Sequence, residues 1–142
     1  MKNLTPSGNP WAARVLLRLG GLGMRRTFRA WAIMLGCDLE CRDYGRFFLP
    51  HPFGIVMHAR TQIGQGCTIY QHVTIGTADG TDQSATIGDD VVIGAGAVLL
   101  GTIHIGHGAR IGANAVVLTD VPAGATAVGN PARVRPASHD IA

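Results

Sequence analysis

Between His51 and Asp120 the hydrophobic positions recur at every sixth residue. Met57, Ile63, Ile69, Ile75, Ile87, Ile93, Leu99, Ile105, Ile111 and Val117 form one column. Four positions after it stands a small or β-branched residue: Thr61, Cys67, Val73, Val91, Ala97, Ile103, Ala109 and Ala115. A glycine follows the aliphatic residue at Gly64, Gly76, Gly88, Gly94, Gly106 and Gly112. A period of six is neither the 3.6 of a helix nor the 2 of an alternating strand. It suits a chain that turns a corner every six residues and lays a short strand on each flat side. Hexapeptide repeats of this kind mark a parallel β-helix, three sixes making one triangular coil. The column residues then point into the bore and close-pack there. Glycine serves the corners, where a positive φ or crowding excludes a Cβ. An apolar sandwich with accidental spacing would have to hit one column ten times over.

The flanks read differently. Residues 1–9 form a loose terminus punctuated by Pro6, Gly8 and then Pro10. Trp11, Val15 and Leu19 recur at helical spacing, the Gly20-Gly21-Leu22-Gly23 run breaks that helix, and Phe28, Trp31, Ala32 and Leu35 share one face of a second. Residues 1–36 are therefore expected to be a helical cap over the open end of the solenoid. A basic hairpin touching anionic lipid is the other role open to them. Residues 37–135 are assigned to the β-helix, beginning with an irregular turn that carries Tyr44, Phe47 and Phe48, and residues 136–142 to a disordered tail. The coils are expected to end after Asp120, with Val121 and Pro122. The register holds from Ile75 to Ile87, but the six residues 81–86 between them place no aliphatic in the column. Residues 77–84 are therefore a loop thrown out of the solenoid, and loops on rigid scaffolds commonly carry function.

Composition narrows the class. At 142 residues the chain is one domain, and its 15% charged residues and 20 glycines suit an aliphatic bore. The net charge of +3 is uneven: residues 1–36 carry Lys2, Arg14, Arg18, Arg25, Arg26 and Arg29 without Asp or Glu, so the remainder sums to 3 − 6 = −3. A basic excess confined to one end argues against a nucleic-acid-binding solenoid. Cys37, Cys41 and Cys67 are odd in number and form no CxxC, so neither a disulfide framework nor a zinc knuckle is indicated, and a reducing cytoplasm is the expected compartment. The apolar runs near the start are broken by Arg and Gly, so a signal peptide is not expected. No run approaches the ~18 apolar residues of a membrane span.

Three stretches carry a resemblance: "LPHPFGIVMHARTQIGQGCTIYQHVTIGT", "ATIGDDVVIGAGAVLLGTIHIGHGARIGANAVVLTDVPAGATAVGNPAR" and the loop between them. Over residues 36–133 the chain resembles the serine acetyltransferase family, most of all its short members associated with capsule and exopolysaccharide synthesis. The resemblance implies a left-handed β-helix, a homotrimer, acetyl-CoA as donor and active sites in clefts between subunits. His51 matches the family's general base in the pattern L-x-H-x-x-G-I-V. It also falls in the aliphatic column, where a buried imidazole is costly unless used or hydrogen-bonded. A neutral imidazole has the basicity to take an alcohol proton during attack on a thioester. An acid on its other nitrogen would fix the tautomer. Asp38 matches the family's aspartate if two residues are deleted, with Asp43 as the fallback. By resemblance Gly76, Thr77, Gly94, Ala95, Gly112 and Ala113 line the donor site, together with residues 130–133. Arg133 or Arg135 would meet a CoA phosphate.

Two departures bear on the acceptor. Where the family carries an Arg-His pair this chain has Gln83 and Ser84, and the family's large helical domain is reduced to about 36 residues. No Arg or Lys lies between Arg60 and Arg110, so the loop offers a carboxylate no cation of its own, although Arg42, Arg46 or Arg60 of a neighbouring subunit would. Sugar hydroxyls suit Asp79, Asp82, Gln83 and Ser84 as partners. The expected function is therefore O-acetylation of a glycan precursor, with serine O-acetylation and a non-catalytic scaffold as alternatives. His58 and His72 are candidate substrate contacts as readily as plain corner residues. No metal is expected: His104 and His107 lie about three coils from His51, at ~4.8 Å per coil too far for shared ligation within a chain. Val92, Val98 and Val116 are the expected trimer contacts.

Overall fold

The computed structural model describes residues 34, 36–39, 47–78, 80 and 82–137. The expected helical cap lies outside these residues apart from Met34 and Gly36. So do Asp43, Asp79 and the tail beyond residue 137.

Thirteen short strands are found among the described residues: β1 (Asp38–Leu39), β2 (Val56–Met57), β3 (Gln62–Ile63), β4 (Thr68–Ile69), β5 (Thr74–Gly76), β6 (Thr86–Ile87), β7 (Val92–Ile93), β8 (Val98–Leu100), β9 (His104–Ile105), β10 (Arg110–Ile111), β11 (Val116–Val117), β12 (Thr126–Val128) and β13 (Arg133–Arg135). They stack into three sheets. The first side of the coil is β1-β2-β5-β8-β11, the second β3-β6-β9 and the third β4-β7-β10-β12, with β13 at its end. All pairings are parallel except β12 with β13. Each strand is two or three residues long because a six-residue period leaves room for little more between corners. Every member of both sequence columns is buried, from Ile69, Ile75, Ile93 and Leu99 in the first to Cys67, Val91 and Ala115 in the second.

Most of the glycines after the column residues answer to crowding; Gly76 does not, since a Cβ there would meet only the Leu100 side chain at 3.4 Å. A Cβ on Gly94 would stand 2.6 Å from the Ala113 nitrogen, and one on Gly106 2.3 Å from the Ala123 nitrogen. Neither has positive φ; the backbone of the next coil occupies the space.

Register shows where the repeat is broken. Thr86 stands opposite Gln62, 24 residues earlier, whereas His104 stands opposite Thr86, 18 residues earlier. The excursion before β6 is therefore an insertion of six residues. At the other end Thr126 stands opposite Arg110, only 16 residues earlier. The coils do not end after Asp120 as expected. Two residues are missing from the corner, which shifts the column so that Val121 and Ala127 enter the bore in its place. A fixed step of six loses the register there, while the fold absorbs the loss in one tighter turn.

The outer faces differ. On the first side Val56, Thr74, Val98 and Val116 stand in register, with Leu100 beside them and the exposed Leu118 just past β11. Val92 does not share that face. It pairs with Thr68 and Arg110 on the third side, because strands six residues apart lie on different sides of the triangle.

Cys37 and Cys67 are buried. Burial pushes the Cys67 thiol up, and Asp89 and Asp90 add to this, so the folded state favours the neutral thiol. A folded value above the unfolded one stabilises the protein below the unfolded thiol range and ceases to do so as pH rises through the folded value. Comparing urea unfolding at about pH 8 and about pH 10, Cys67→Ala should lose less stability with rising pH than the parent. An identical loss would remove the assignment. For the bore, Ile75→Ala should cost ~2–5 kcal/mol by urea unfolding, since Ile75 is fully buried; a cost under ~1 kcal/mol would contradict close packing there.

Candidate active site

The candidate residues fall on two edges that flank the first side. The edge by which the chain enters that side carries His51, then His72, then Gly94 and Ala95, then Gly112 and Ala113, on successive coils. The edge by which it leaves carries His58, Arg60, Thr77, Asp82, Gln83 and Ser84.

At the entering edge His51 is exposed, not buried in the column. Pro50 and Pro52 on either side have no N–H to give to a ladder. The Phe53 N–H instead bonds the His51 carbonyl at 2.8 Å, a tight turn that rounds the corner with the imidazole outward. Phe47, Leu49 and Ile55 fill the wall. The buried Cys37 thiol braces this corner, donating to the Pro52 carbonyl at 3.0 Å and accepting from the Ile55 N–H at 3.4 Å.

His72 lies on the next coil with φ of 58°, and its N–H bonds the Phe53 carbonyl at 2.8 Å. Its ring lies over Gly54: a Cβ there would stand 2.4 Å from His72 Nδ1. The same relation recurs between Asn114 and Gly96. A side chain in the left-handed conformation folds back along the axis, so the coil before it needs a glycine. Gly54 thus turns His72 toward the corner of His51. Gln71 Oε1, at the same edge, is buried with no hydrogen-bond partner among the described residues.

Further along, Gly94 and Ala95 stack on Gly112 and Ala113, and Asn114 N–H bonds the Ala95 carbonyl at 2.9 Å. The Ala95 and Ala113 N–H groups donate to no group among the described residues. Small side chains and free amides in a row fit an extended amide-bearing chain. Arg133 stands in β13, opposite Val128 at the far end of the third side. Gly76 and Thr77 are not part of this row; Gly76 pairs with Leu100 on the first side and leads to the other edge.

Asp38 lies in β1, opposite Val56, with its carboxylate exposed. No hydrogen bond or ion pair among the described residues joins it to His51.

At the leaving edge the six-residue insertion frames a cleft of about 910 Å³ lined by Arg60, Thr61, Gln62, Gly64, Asp82, Gln83 and Thr86, among others. Arg60 Nη2 pairs with Asp82 Oδ2. His58 Nε2 lies 3.8 Å from Asp82 Oδ1, and its Nδ1 accepts from the Arg60 N–H at 3.3 Å. Ser84, a candidate substrate contact by sequence, is buried and hydrogen-bonded to Thr61 Oγ1 at 3.0 Å. It closes the insertion onto the wall. Arg60 is the residue that sequence reasoning undervalued. The loop has no cation of its own, but the coil beneath supplies one to it. A charged residue near an inserted loop was the available signal; the partnership is set by the fold.

Among the described residues no three His, Cys, Asp or Glu side chains gather as a metal-ligand set. His104 and His107 lie 3.9 Å from Asp120 and Asp90 respectively, on the exposed surface.

The class defined by this geometry is the hexapeptide-repeat solenoid, and residues 84–119 match the family model described as bacterial transferase hexapeptide (six repeats). More particularly, the chain is similar to serine acetyltransferases. It is 40% identical over 132 residues to the serine acetyltransferase of Mycobacterium tuberculosis, covering 87% of this chain and 58% of that protein. The soybean serine acetyltransferase complexed with serine superposes with a TM-score of 0.66 at 39% identity, over 87% of this chain and 54% of that one. The Brucella abortus serine acetyltransferase in complex with coenzyme A gives 0.65 at 29% identity, over 86% and 52%. The fold is accordingly the left-handed parallel β-helix expected from the sequence. The chain spans from 26% to 58% of the length of these and similar curated relatives.

Proposed function

We propose that this chain transfers an acetyl group from acetyl-CoA to the hydroxyl of L-serine, with His51 as general base. The observation that carries the reading is the entering edge, where an exposed imidazole heads a row of glycine-alanine corners with unused amides. The similarity to proteins named as serine acetyltransferases, one complexed with serine and another with coenzyme A, supports the choice of substrates. The glycan acceptor rested in part on a loop without a cation of its own, and Arg60 on the coil beneath supplies one to it.

In this reading the Ala95 and Ala113 corners hold the pantetheine arm of acetyl-CoA along the edge, its thioester directed toward His51. His51 takes the proton from the serine hydroxyl as the oxygen attacks the thioester carbonyl. The tetrahedral intermediate collapses with cleavage of the carbon–sulfur bond, and the imidazolium returns its proton to the departing thiolate. The products are O-acetylserine and CoA. Asp38, one coil from the His51 corner, is the carboxylate proposed to orient the imidazole once substrate is bound.

The two edges lie at opposite ends of one flat side, so a single coil does not bring His51 to the Arg60 cleft. Association of copies, as a homotrimer, would join one copy's entering edge to another's leaving edge. The apolar strip of Val56, Val98, Leu100, Val116 and Leu118 and the unpartnered Gln71 Oε1 support contact at this side. A peripheral membrane contact rests on the basic residues 1–36 alone.

Thiol release from acetyl-CoA should depend on added L-serine, and His51→Ala should lower kcat by ~10²–10⁴ with circular dichroism and molecular mass in solution unchanged. Absence of serine-dependent thiol release, or full turnover in the variant, would overturn the reading.

A further inference from the structure

Arg60 is the single Arg or Lys in residues 47–109, and it stands in the cleft under the insertion. Resting on the reading above, we propose that Arg60 determines acceptor specificity by binding the acceptor's carboxylate, with Asp82 as the resident carboxylate that it exchanges.

A guanidinium offers paired N–H donors in a planar fork that matches the two oxygens of a carboxylate. Asp82 already shows that a carboxylate fits this place, since its Oδ2 lies against Arg60 Nη2 while its Oδ1 is left 3.8 Å from His58 Nε2. That partner is exchangeable. The Arg60 and Asp82 side chains are 58% and 66% exposed, and ion pairs so open to water hold little. Asp82 also belongs to the insertion, which closes onto the wall without it through Ser84 and Thr61. Gln83 and Thr86 in the same cleft add neutral polar groups for the rest of a small acceptor. A scaffold has no use for the one Arg of residues 47–109 in its cleft, and a neutral polyol would gain less from a guanidinium than an amino acid would.

A plain latch between loop and coil is the competing account, and the two differ in sign. If Arg60 binds the acceptor, Asp82 competes with it; if the pair only fastens the loop, losing either member does the same harm. Steady-state kinetics with L-serine and with its neutral carboxamide, L-serinamide, separate them. Arg60→Gln should raise KM for L-serine about tenfold or more, the scale of a lost charge-assisted hydrogen bond, and leave KM for L-serinamide unchanged. Asp82→Asn should lower KM for L-serine. An unchanged KM in Arg60→Gln, or a rise in both variants, would overturn the proposal. A readout free of turnover keeps it apart from the activity itself. In the parent protein the ¹⁵N resonance of Arg60 Nε should move on titration with L-serine and not with L-serinamide. No movement with L-serine sinks the role of Arg60 whether or not thiol is released. Lack of thiol release with both acceptors, beside a moving resonance, sinks the proposed reaction and supports the carboxylate site.

Discussion

Every coil rests on the packing of its column residue against those above and below. Ile69, Ile75, Ile93 and Leu99 are fully buried in the bore. The bore is therefore only as stable as the vertical match between neighbouring sixes. That demand fixes the coil spacing, which brings backbone of adjacent coils into contact at Gly94 and Gly106 and excludes a Cβ there. It also leaves the corners as stacked edges, each repeating the same local geometry at ~4.8 Å intervals. Function in such a molecule is built on edges, because the sides are committed to ladders and the bore to packing.

The two edges beside the first side use that geometry in different ways. The entering edge keeps its regular step and varies the side chains: an imidazole at His51, another at His72 seated over Gly54, then small residues. The leaving edge breaks its step with six extra residues and gains a cleft. Thr61 and Ser84 close the break inside the wall, so the insertion disturbs neither column. The charge of the cleft comes from one residue on the regular coil and one on the insertion. Among the described residues His51 and Arg60 stand on different edges. The apolar face between them supplies a reason for copies to meet there.

Much of this was legible in the sequence, and the reasons are physical. The period of six reports which residues face the bore, since burial is a one-body property repeated ten times over; both columns are buried throughout. The gap between Ile75 and Ile87 announced the insertion for the same reason. Periodicity does not report what happens where it fails. His51 falls on the column by count, yet the flanking prolines turn it outward. The two-residue deletion before Val121 read as the end of the coils because a fixed step cannot follow a shifted register. Val92 was grouped with Val98 and Val116 because all are small apolar residues outside the column, although six residues of chain separate sides of the triangle. The Arg60–Asp82 pair lies across an insertion, and no spacing rule links its members. Residues 1–36, where the basic charge is concentrated, lie almost wholly outside the described part of the chain.

The proposed reaction requires donor, base and acceptor to meet at the first side, drawn from its two edges. A crystal structure of the protein with coenzyme A and L-serine tests that directly. The account expects the pantetheine arm against Ala95 and Ala113, the sulfur and the serine hydroxyl within hydrogen-bond reach of His51, and the serine carboxylate on Arg60 of a neighbouring copy. Coenzyme A lying along the second or third side, or serine bound away from His51, would contradict it.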